Sequence, residues 1–268
     1  MSDTYPTSQS RQALETIQQR GLDAVRDLLE RARDQVLRKL ADAPSEYDVW
    51  FYRQLEAEAE RALRELQDPL TARLYADVQA AAEAMDAGFD PLKDFGIEVG
   101  GVGWTREHVR PLSQADIADR VTTLIEGGQA KVKSVLQQGM LGVLTPQEVQ
   151  KAIAGQLDVA KGFGPLWYRA DMIWTTEVNR VCNQAAIARA KEIERRSPGK
   201  MKKRWLQSGS TRWPRQHHVT LGELPAQAID EPYNVNGYLA DGPHADNLPA
   251  GEVIKCGCTL LVEFAEAM

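Results

Sequence analysis

The chain has 268 residues, 43% hydrophobic and 26% charged, with a formal net charge of −6. This composition supports a buried core and excludes an intrinsically disordered chain. The lack of a leader-like start or an apolar run of about 18 residues predicts no membrane partner. Cys182, Cys256 and Cys258 are too few and too unevenly spaced for a disulfide framework.

Leu14, Ile17, Leu22, Val25, Leu28, Leu29, Ala32, Val36, Leu37 and Leu40 recur at helical spacing, predicting a long amphipathic helix that Pro44 ends. Ser45 and Asp48 can cap a second helix from Tyr47 to about Leu66. Asp68-Pro69 opens a third, which runs through Met85 to a stop at Gly88. Residues 88–112 are glycine-rich. Their VGGVGW run lacks the Lys-Ser/Thr ending of a phosphate loop, so it reads as a flexible connector or a docking loop and marks the expected domain boundary.

Ser113 and Asp116 announce the next helix, which continues to about Met140 across Gly127-Gly128. Thr145-Pro146-Gln147-Glu148 combines a capping box with a first-turn proline, for a helix ending near Ala160. A long helix from Leu166 to about Arg196 follows. After Ser197-Pro198-Gly199, MKKRWLQ, PRQHHVTL and EVIKCGCTLLVEF read as strands. The proline- and glycine-rich interval before the last of them needs a second body to lie on, or a local staple. The expected fold class is α+β. A helical docking region spans 1–100 and a helical middle 101–198, and a small antiparallel β-rich module with long loops spans 199–268.

Charge divides along the same lines: −8 over residues 1–100, +9 over 101–220 and −7 over 221–268. A basic middle between acidic flanks can close on its own chain or on another copy, giving self-association, or can face DNA. Arg195, Arg196, Lys200, Lys202, Lys203 and Arg204 form the densest basic cluster and are the candidates for sequence-independent phosphate contact.

The staple candidate is chemical. Cys256 and Cys258 flank Gly257, and His217, His218 and His244 are the nearest imidazoles in sequence. Two thiolates and two imidazoles suffice for one tetrahedral structural zinc, while buried thiols with hydrogen-bonding histidines are the plainer alternative. Glu177 can pair with Arg180 on its own helix, or with Arg212 or Arg215 where that helix meets the C-terminal sheet. A buried Glu177–Arg215 fork is the favoured structural role.

The run WLQSGSTRWPRQHHVTLGE from Trp205, the proline- and glycine-rich interval and the late IKCGC resemble the C-terminal module of the Mu F-like head morphogenesis (minor capsid) proteins of tailed phages. Arg215 and His218 match an Arg-x-x-His element, Leu221 and Gly222 the turn after it, and Cys256 and Cys258 a late Cys-x-Cys, although Gly257 stands where the family has arginine. Upstream, Thr176, Glu177 and Asn179 are similar to the family's threonine-glutamate helix. The resemblance covers roughly residues 115–264. It implies a structural protein of phage head assembly, located in the virion or prohead interior near the portal and made in the bacterial host cytoplasm. Its implied partners are the portal protein or the major capsid protein.

No catalytic residue is expected. A His–Cys nucleophile or a metal-bound water beside Glu177 would each need a third orienting group and an open coordination or substrate position, and the sequence displays neither. The chain is therefore expected not to be an enzyme. The alternative is a metal-dependent or ADP-ribosyl-transferring effector carrying a phage head module.

Overall fold

The computed structural model describes residues 4–5, 7–41, 49–95, 114–158, 165–199, 201–207 and 214–264. The expected α+β architecture is present: long helices come first, and a small antiparallel β module with long loops follows. The chain divides into two compact units. One comprises Met1–Gln19, Ala76–Leu112 and Trp174–Met268, the other Arg20–Tyr75 and Ser113–Ile173.

The second unit is helical. Its residues come from α1 (Ser8–Ala41), α2 (Val49–Arg64), α3 (Gln67–Ala87), α4 (Gln114–Met140), α5 (Pro146–Gln156) and the start of α6 (Pro165–Arg196). Apolar stripes at helical spacing meet in one core that includes Leu29, Leu55, Leu63, Leu74, Val121, Ile125, Leu136 and Ile153. The predicted capping box is formed at α5: Glu148 N donates to Thr145 Oγ1 at 3.3 Å and Thr145 N to Glu148 Oε2 at 2.8 Å. Gly139 is a close-approach position, because a Cβ there would lie 2.7 Å from the Tyr52 ring and 2.8 Å from Val149. The expected caps at Ser45, Asp48 and Ser113 and the VGGVGW connector lie outside the described residues.

In the first unit, β1 (Thr4–Tyr5), β6 (Thr259–Phe264), β2 (Met201–Leu206) and β3 (Gln227–Ala228) form an antiparallel sheet in the order β1-β6-β2-β3. The long β2–β6 ladder runs from Met201 opposite Phe264 to Leu206 opposite Thr259. Strand alternation turns Met201, Lys203 and Trp205 inward and Lys202 and Arg204 outward. PRQHHVTL, expected as a strand, is instead the helix α7 (Gln216–Glu223), which buries His218 and Leu221 three residues apart on one face. The proline- and glycine-rich interval holds a hairpin of β4 (Tyr233–Val235) and β5 (Tyr238–Ala240). Its turn residues Asn236 and Gly237 have φ of 52° and 90°, the left-handed pair of a type I′ turn. The short helix α8 (Ala250–Val253) precedes the cysteines, which lie in the connection before β6 rather than in the strand.

Candidate metal centre

The cysteine connection is held by one face of α6. Thr176 Oγ1 accepts from Lys255 N at 3.3 Å, Asn179 Nδ2 donates to Cys256 O at 3.2 Å, and Asn183 Nδ2 donates to Cys258 O at 3.3 Å. Asn183 Oδ1 also accepts from Leu260 N at 2.8 Å. The spacing of 176, 179 and 183 is that of one helical face, so a rigid helix sets the position of both sulfurs.

Helix α7 brings His218 to them. Its Nδ1 lies 3.5 Å from Cys256 Sγ and 3.6 Å from Cys258 Sγ, and all three residues are buried. Trp205 packs edge-on against the His218 ring at 5.0 Å and against Tyr233 at 5.4 Å. The Cys256 thiol is shifted down, chiefly by the Cys258 thiol donating to its sulfur and further by His218 and His244, against the opposing effect of burial. Cys258, the donor of that pair, is shifted up by the same contact and by burial. The contact between the two sulfurs therefore favours the charged form of Cys256 over that of Cys258.

A second group shares the imidazole. Glu252 Oε2 lies 2.6 Å from His217 Nε2 and 3.1 Å from His218 Nε2, the latter off the line of a hydrogen bond. Asn236 Nδ2 donates to Glu252 Oε1 at 3.4 Å, and the Arg215 guanidinium is 3.8 Å away. Burial pushes the Glu252 carboxyl up, but the hydrogen bonds from His217 and Asn236 outweigh it and leave the group below its ordinary value. Glu252 was not among the sequence candidates. Its only sequence signal is its place four residues before Cys256, which by itself marks nothing.

The donor set fits zinc. Two sulfurs and an imidazole nitrogen are ligands of the type that ion takes, and they converge without any added group. His244, the remaining candidate, is also buried beside the site. Its Nε2 is 2.9 Å from Cys256 O, its backbone is left-handed at φ 60°, and its buried Nδ1 has no hydrogen-bond partner.

The expectation that the chain is not an enzyme is corrected by this cluster, which offers a candidate catalytic or metal site. That expectation rested on the want of an orienting group and of an open coordination or substrate position. Glu252 supplies the first, and the three converging donors, Cys256, Cys258 and His218, would leave one position open if they held a tetrahedral ion.

The other sequence candidates are placed as follows. Arg215 does not pair with Glu177; its guanidinium donates to Gly251 O at 2.7 Å and Ile254 O at 2.9 Å, tying α7 to the α8 turn. Glu177 is buried, with Arg180 at 3.7 Å, and Arg212 lies outside the described residues. Lys203 does not belong to a DNA-facing surface. It is fully buried, donates to Asp241 O at 2.9 Å and lies 5.2 Å from the centre of the Tyr233 ring. Arg195 and Arg196 both pair with Glu192, and Arg204 pairs with Glu263. Lys202 is exposed, and Lys200 lies outside the described residues.

Among the described residues no helix is long and apolar enough to cross a membrane. No family model, curated protein or solved structure matches the chain.

Proposed function

We propose that this chain is a metal-dependent effector whose C-terminal module holds one zinc ion through Cys256 Sγ, Cys258 Sγ and His218 Nδ1. The observation that carries the reading is the approach of both sulfurs to a single buried imidazole nitrogen, at 3.5 and 3.6 Å. Bound at such a donor set, zinc supplies Lewis-acid polarisation of an oxygen-bearing substrate. The chain's own residues orient and exclude. The α6 amides fix the sulfurs, Trp205 shields the imidazole face, and His217, the partly exposed imidazole of the cluster, is anchored through Nε2 on Glu252 and can hold a proton at Nδ1. The test is elemental analysis of the full chain purified without chelators. About one zinc per chain, lost on C256S or C258S, is the expected result; a folded wild-type chain with neither zinc nor affinity for it contradicts the reading.

The second reading, association with a phage head, has its own support. Thr176 and Asn179, which carry the resemblance upstream, bond directly to the Lys255–Cys256 segment that carries it downstream. The head partners would be the portal protein or the major capsid protein, met inside the prohead or virion, with non-specific DNA contact or self-association as lesser roles. Crosslinking mass spectrometry on proheads and virions should give links from this chain to the portal; absence from both particles contradicts this reading.

A further inference from the structure

We infer that Gln18, on the first helix, is a positioning residue of the metal centre: its amide donates to Asn179 Oδ1 and keeps Asn179 Nδ2 turned to the Cys256 carbonyl. The inference deepens the zinc reading and, for its effect on metal affinity, rests on it.

Gln18 Nε2 donates to Asn179 Oδ1 at 2.8 Å, and Asn179 Nδ2 donates to Cys256 O at 3.2 Å. A side-chain amide presents an acceptor oxygen on one side and a donor nitrogen on the other, whereas a backbone carbonyl only accepts. Cys256 O therefore dictates which end of Asn179 faces it. The Asn179 oxygen is left facing α1, and the group that meets it there must be a donor. The relay has one consistent polarity from α1 to the cysteine backbone. Asn183, one turn further along α6, has its polarity fixed in the same way by Leu260 N, which donates to its Oδ1. Gln18 does for Asn179 what that strand amide does for Asn183.

The fold brings α1 to this place from a second direction as well. β1 lies antiparallel on β6, with Thr4 opposite Glu263 and Tyr5 opposite Val262, and Thr7 Oγ1 accepts from Ser10 N at 3.3 Å where α1 begins. The start of the chain thus meets the C-terminal sheet at β6 and the cysteine-holding helix at Asn179. Gln18 lies before the span that carries the phage-protein resemblance, so no motif points to it. Its contribution is a modest one. Asn179 is half-buried, which lets water compete for its oxygen, and His244 Nε2 stands 2.9 Å from the same Cys256 carbonyl.

The experiment uses the full chain as wild type, Gln18→Ala, Gln18→Lys and Gln18→Glu. Lysine only donates and an ionised glutamate only accepts, so the pair separates hydrogen-bond polarity from packing. The carbon-13 shift of the Cys256 carbonyl in the metal-free protein reports the bond made to it, and competition with a chromophoric chelator reports zinc affinity. Gln18→Lys should keep both near the wild type. Gln18→Ala should move the carbonyl shift toward its unbonded value and weaken zinc binding about fivefold, the effect of one net hydrogen bond. Gln18→Glu should lose more, because its carboxylate draws Asn179 Nδ2 to itself and turns the amide oxygen on the Cys256 carbonyl. An alanine variant at wild-type values, or a lysine variant no better than alanine, would overturn the role assigned to Gln18 while leaving zinc binding intact. If a folded wild type takes up no zinc, the zinc reading fails and the carbonyl shifts alone decide the relay. Should Gln18→Glu fail to fold, the comparison of alanine with lysine decides.

Discussion

Replacing Asn183 by alanine should loosen the C-terminal strand and the Cys258 backbone at its entry. Asn183 is 1% exposed, and its amide joins α6 to the entry of β6 by accepting from Leu260 N at 2.8 Å and donating to Cys258 O at 3.3 Å. Alanine removes both contacts in a place that water does not reach, since Leu260 is fully buried and Cys258 is 4% exposed. A buried backbone group left without its partner costs roughly 1–3 kcal/mol. The 2.8 Å bond should account for most of the loss, so about 2–4 kcal/mol is expected for the two together. Amide hydrogen exchange read by mass spectrometry on peptides covering Thr259–Phe264 should show protection lower by about two orders of magnitude, with a parallel fall in the urea midpoint. Protection within a factor of two of wild type would refute the idea that this side chain clamps the strand.

Three further perturbations probe other parts of the molecule. Burial pushes the Lys203 ammonium down to about 8, with Asp241 partly opposing the shift, whereas in an unfolded chain it titrates near 10.4. The unfolded chain therefore binds more protons between those values, so stability should rise as pH increases from about 8 to about 10. Thermal melts of wild type and Lys203→Met check this: the substitution should flatten the profile, and an already flat wild-type profile would contradict it. Gly139→Ala should destabilise the helical unit by about 1–3 kcal/mol, because the new methyl meets Tyr52 and Val149 inside contact distance; chemical denaturation measures it. Thr145→Ala removes the α5 cap and should cost about 1 kcal/mol by the same assay.

What the sequence discloses follows the range of the interactions involved. The Thr145–Glu148 box is local, complete within four residues, and appears as expected. The long helices follow from apolar spacing, which acts along a single element. PRQHHVTL carries Val219 and Thr220, whose branching suggests a strand. Packing prevails over that propensity, because the helix buries His218 and Leu221 together. The Asn236-Gly237 turn was available as a local signal, and once it is recognised the interval has a hairpin of its own. Lys203 was likewise legible, since a strand that buries Met201 and Trp205 must bury the residue between them on the same face. Glu252 was not. Its importance comes from Arg215, His217 and His218 at the start of α7 and Asn236 in the β4–β5 turn meeting it in space, and nothing in its own surroundings in the sequence encodes that meeting.

The most direct test of the central claim is native mass spectrometry of the full chain, titrated with zinc and compared with the C256S/C258S double variant. The account predicts uptake of one ion per chain by the wild type and none by the variant under the same conditions. Equal uptake by the two proteins, or none by a folded wild type, would contradict it.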